Sequence, residues 1–96
     1  MRPPATVFVV TMRAVAGPEN SQPDGRAYDL LVFARAETEA EAERVAFDGL
    51  SRLGWIDAQA LRSGEITDPD AVPTDLQGSY ARAVENGCAI IVYDEP

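Results

Sequence analysis

The segment Thr6 to Met12, TVFVVTM, places Phe8, Val10 and Met12 on one face of an extended chain and Val7 and Val9 on the other. A strand with one wet face alternates apolar and polar side chains, because successive residues point to opposite sides. This strand, predicted from about Ala5 to Val15, is apolar on both. The second predicted strand, Ala27 to Ala36, sets Leu30 and Val32 against Leu31 and Phe33. The last, CAIIVYD, is apolar without a break from Cys88 to Tyr93. Its two faces carry Cys88, Ile90 and Val92, and Ala89, Ile91 and Tyr93.

A helical period replaces the strand period after Ala36. Thr38 and Glu41 fit a capping box, the hydroxyl serving an orphan amide of the first turn. Ala42, Val45, Ala46, Gly49, Leu50 and Leu53 then recur on one stripe. Glu37, Glu39, Glu41 and Glu43 load the end where the helix dipole favours anions. Gly54 suits the left-handed position that closes a helix, with Trp55 packing back on Leu50. Phe47 falls at roughly 130° from the stripe centre at 100° per residue, which points to a loop contact, exposure or an interface.

The stretch after Trp55, IDAQALRSGEI, reads as a polar edge strand. A loop over TDPDAVPTD leads to a second helix starting near Pro73 or Thr74. Thr74 and Gln77 fit another capping box, Leu76, Tyr80, Ala83 and Val84 form the apolar stripe, and Asn86-Gly87 ends it.

The order is ββαβαβ. The first two strands are expected to pair antiparallel, because no helix signal lies between them. Strands joined through single helices are expected to run parallel. The predicted fold is α+β: a two-layer sandwich of a four-stranded mixed sheet and two helices, in one domain spanning 1–96. The alternative sets the helices on opposite faces as three layers. In the two-layer form one sheet face is open, and apolar side chains from three strands would form a patch large for a monomer. A second copy is the simplest cover, with Val7, Val9, Leu31, Phe33, Phe47, Ile91 and Tyr93 as interface candidates. The connection at 16–26, rich in Gly, Pro, Asn and Ser, is another cover or a solvent-exposed loop.

Composition narrows the chemistry. There is no histidine, which removes the commonest general base and metal ligand and every Ser-His-Asp or Cys-His arrangement within one chain. No dinucleotide or phosphate-loop glycine pattern is present. Asp68, Asp70 and Asp75 offer oxygen ligands on a loop but lack the spacing of a calcium site. Cys88 follows a helix C-terminus, the wrong end to activate a thiolate, and reads as an inert packed residue. Tyr28, Tyr80, Tyr93 and Trp55, with Arg13 or Arg35 as an anion anchor, would line a pocket only if they converged.

The net charge of −8 disfavours nucleic acid and favours, at most, a basic protein partner. All eight basic residues are Arg, a bias typical of a GC-rich bacterial genome. The apolar start is far shorter than the ~20 residues of a membrane span, and a lone cysteine fits a reducing compartment; the expected location is cytoplasmic. The first functional reading is a non-catalytic binding or interaction protein without a cofactor, homodimeric through the open sheet face. The others are an acidic inhibitor or immunity-type protein that binds a basic partner, and a histidine-free enzyme working through carboxylates, Tyr and Arg.

Overall fold

A computed structural model describes residues 6–20 and 25–93, except the side chains of Pro69 and Tyr93. Strand β1 covers Thr6–Ala16 and β2 covers Ala27–Ala36. Helix α1 follows at Glu39–Arg52, then β3 at Trp55–Glu65. Two short 3-10 turns, Pro69–Ala71 and Thr74–Leu76, lead into helix α2 at Gln77–Asn86 and strand β4 at Cys88–Tyr93. The chain is α+β in the expected order ββαβαβ. Ala5 and residues 21–24 of the long connection lie outside the described residues.

The sheet order is β3-β1-β2-β4, and every neighbouring pair is antiparallel rather than mixed. The two helical connections explain this. From β2, α1 carries the chain over β1 to β3, and β2 and β3 do run in the same direction, with β1 between them. From β3 the chain leaves at Glu65, which pairs with Phe8; β4 enters at Cys88, opposite Ala34, the partner of Phe8. Exit and entry share one cross-strand row, so β4 must run opposite to β3. Residues 66–87 form an excursion that returns to the same end of the sheet.

Local signals set α1. Thr38 Oγ1 accepts from the Glu41 N–H at 3.1 Å, as the capping box requires. Gly54, at φ 84°, takes the left-handed position after the C-cap Leu53. Ala42, Ala46 and Leu50 are buried, while Phe47 remains 38% exposed. The box expected at Thr74 does not form. The chain there turns as a 3-10 helix, the Leu76 N–H bonding to Pro73 O at 2.8 Å, and the Gln77 side-chain amide donates back to Val72 O at 3.1 Å. α2 ends as expected at Gly87, φ 96°.

Residues paired across strands share a face. Val10, Met12, Leu30, Val32 and the partly buried Ile90 and Val92 pack with Ala46 and Leu50 of α1. The other face carries Val7, Phe33 and Ala89, which pack with Ala83 of α2. Leu76 and Tyr80 join that second cluster. The helices thus pack against opposite faces, as in the three-layer alternative. The two-layer expectation would put both helices on one face, whereas the residues packed with Leu50 of α1 and those packed with Ala83 of α2 alternate along the same strands.

The second face is itself divided. Its row Gly64–Val9–Phe33–Ala89 is apolar, and in the next, Arg62–Thr11–Leu31–Ile91, two of four residues are. The following row holds Gln59, Arg13, Asp29 and Tyr93. The apolar end is where residues 66–87 fold back; the polar end stays exposed, with Arg13 and Asp29 paired at 3.0 Å.

Candidate apolar binding cleft

The excursion does not close completely over the sheet. Between β1 and β2 on one side and residues 65–76 on the other lies an open hollow of about 320 Å³. Its floor is Val9, Leu31 and Phe33. Its wall is built by Ile66, Val72 and Leu76, and its rim includes Glu65, Thr67 and Asp68.

Each part has a local cause. The Ile66 N–H bonds to Val7 O at 2.9 Å, extending the β3 ladder by one step before the chain lifts off. Asp68 Oδ1 accepts from the Asp70 N–H at 3.1 Å, an Asx turn that starts the first 3-10 turn. Pro73 then begins the second. Two tight turns pull the backbone across the sheet without forming a helix long enough to cover it. Val72 is buried, whereas Val9, Leu31, Ile66 and Leu76 stay half-buried around the opening.

The interface candidates divide accordingly. Val9, Leu31 and Phe33 come together in the cleft, and Ile91 packs at the edge of the same cluster. Val7 is buried at 3% exposure, beside Phe33 at the same value. Phe47 lies on α1, over the opposite face. The side chain of Tyr93 is outside the described residues. The strands alone carried no sign of the cleft wall; Val72 and Leu76 sit in a stretch that reads as a plain loop and a helix start.

Among the described residues, Tyr28, Trp55 and Tyr80 do not converge on one pocket. Tyr28 and Trp55 meet edge to face at 5.6 Å under α1, with the Arg26 guanidinium 5.7 Å from the Tyr28 ring. Tyr80 meets Phe33 at 6.4 Å on the other face. Arg35 donates to the carbonyl of Val84, near the end of α2. A second hollow of about 340 Å³, lined by Leu53, Trp55, Ile90 and Val92 with Glu19, Asn20 and Arg52, opens at the C-terminal end of α1.

Burial raises the Cys88 thiol above its ordinary value, consistent with a packed residue rather than an activated one. Ser63 Oγ lies 2.5 Å from Glu39 Oε2 and 3.2 Å from Glu43 Oε2, fastening β3 to α1. Among the described residues no group of three or more His, Cys, Asp or Glu side chains could hold a metal ion. Nor, among them, is any helix long and apolar enough to cross a membrane. No family model, curated protein or solved structure matches this chain.

Proposed function

We propose that this protein is a non-catalytic binding protein and that the cleft beneath residues 65–76 is its binding site. One observation carries the reading: half-buried apolar side chains from two strands and the returning segment surround an open hollow instead of closing on one another. Apolar walls with a few polar groups at the mouth are the usual composition of a binding pocket. Such a site supplies contact area and excludes water. Of the binding roles, inhibition of a basic protein partner is the one that a net charge of −8 favours, by steering the encounter. The proposed setting is the cytoplasm, in keeping with the single cysteine.

The homodimer is a narrower proposal than the strands suggested. With Val7, Phe33 and Ala89 under α2, an interface on this face would rest on Val9, Leu31 and Ile91, and two copies of charge −8 would have to meet.

Titration with N-acetyl-phenylalaninamide, followed by amide shifts, tests the site. Shifts confined to Val9, Leu31, Phe33, Ile66 and Val72, lost in Leu31→Lys, are expected. Saturable binding elsewhere, or none, refutes the reading. Light scattering on the same samples should give 10.3 kDa for a monomer; twice that mass, abolished by Leu31→Lys, would instead support the dimer.

A further inference from the structure

The cleft's rim is acidic, and its charge identifies an occupant. Residues 65–75 contain Glu65, Asp68, Asp70 and Asp75 and no basic residue. All four carboxylates are exposed. Beyond the floor of the cleft lies the polar end of the sheet face. There Arg62 sits across from Thr11, and Arg13 is tied to Asp29. Glu65 and Asp68 thus stand at the rim of the hollow itself, with Asp70 and Asp75 on the same segment, and no basic residue is among the described residues that line it.

The size of the hollow limits that occupant. At about 320 Å³ it stands at the lower end of the range for small-molecule pockets. A helix docking in a groove needs a track of anchors at successive turns. Here the apolar floor is three residues, Val9, Leu31 and Phe33, and ends at Thr11 and Arg13. It accommodates one bulky side chain.

We infer that the cleft takes a single bulky apolar side chain of another protein, carried on a segment whose basic residues lie over the acidic rim at Glu65 and Asp68. This rests on the binding reading above and names its partner's chemistry. The apolar anchor supplies the contact area, and its basic flank meets Glu65 and Asp68. The attraction acts across exposed groups, so it is screened by salt while the apolar contact is not.

Three capped peptides separate the two contributions: a phenylalanine followed on one side by two lysines, by two serines or by two glutamates. Each is titrated into the full chain by calorimetry and amide shifts. The lysine peptide is expected to bind about tenfold tighter than the serine peptide at low ionic strength. The glutamate peptide should be weakest. The advantage should disappear at about 0.5 M salt, where screening is short-ranged. It should also disappear in the triple variant Glu65→Gln, Asp68→Asn, Asp70→Asn. The Asp68→Asn change keeps a side-chain oxygen that can accept from the backbone amide two residues on, so the triple variant preserves the turn. Equal affinity for all three peptides, with shifts in the cleft, overturns the charge inference and leaves the binding reading standing. Failure of every peptide and of N-acetyl-phenylalaninamide overturns both. Lysine-dependent binding with shifts away from Val9, Leu31 and Ile66 overturns the inference alone.

Discussion

Gly54 shows how one residue serves two segments distant in sequence. Its φ of 84° closes α1, and its carbonyl accepts from the Gly17 N–H at 3.0 Å. The Asn20 side chain donates to the neighbouring Leu53 carbonyl at 2.7 Å. A Cβ at Gly54 would stand 2.8 Å from the backbone of both Glu19 and Asn20. Gly25 shares the left-handed conformation, at φ 85°, but none of the described residues comes within 4 Å of a Cβ placed there. Gly25→Ala should therefore cost only the conformational part, about 1 kcal/mol. Gly54→Ala should cost about 3 kcal/mol, because backbone must also move. Urea unfolding of the two variants checks the difference; equal losses would show that the 17–20 turn yields freely. The glycine's role at the helix end is legible in the sequence, since Gly after an apolar stripe is a local signal. Its contact with residues 19 and 20 is not, because it joins two connections more than thirty residues apart.

At the scale of elements, α1 and α2 differ in what determines them. α1 carries its cap, its stripe and its stop in its own residues; the cap and the stop form as read, and so does the stripe except at Leu53, which is 54% exposed. α2 lacks the side-chain cap expected at Thr74 and begins from a 3-10 turn. Its position depends on Ala83, fully buried against the sheet, and on the contact of Tyr80 with Phe33. Ala83→Glu would bury an unpaired carboxylate, a change that costs about 3 kcal/mol or more. α2 should then detach locally. Amide exchange over 77–86 should accelerate while that over 39–52 stays slow, since α1 packs on the other face. Equal acceleration of both helices would mean that the two faces unfold as one unit.

For the whole molecule, the excess of carboxylates opposes compaction. Glu39 and Glu43 converge on Ser63, and Glu65, Asp68, Asp70 and Asp75 line one stretch of chain. The ion pairs Arg13–Asp29 and Arg52–Asp48 offset little of this, being exposed. Raising salt from about 10 mM to about 0.2 M at pH 7 should screen the repulsion and raise the melting temperature by about 4 °C. A melting temperature that falls with salt would show that attractive pairs outweigh the net charge. The same scale corrects the expectation of an uncovered sheet face. Val7, Val9, Leu31, Phe33, Ala89 and Ile91 do form a second apolar surface. Register gathers them at one end, beside Arg13, Asp29 and Gln59, so a short excursion of the chain's own residues shelters most of it.

The strands, the first helix with both its ends, the order ββαβαβ and the existence of a second apolar face are all written in the linear chain. They depend on side-chain period and on residues a few positions apart. The strand order, the antiparallel course of β4, the placement of α2 and the cleft emerge only once the chain is folded. Each follows from where Glu65 leaves the sheet and Cys88 rejoins it, and that shared row is set by pairing between strands far apart in the chain.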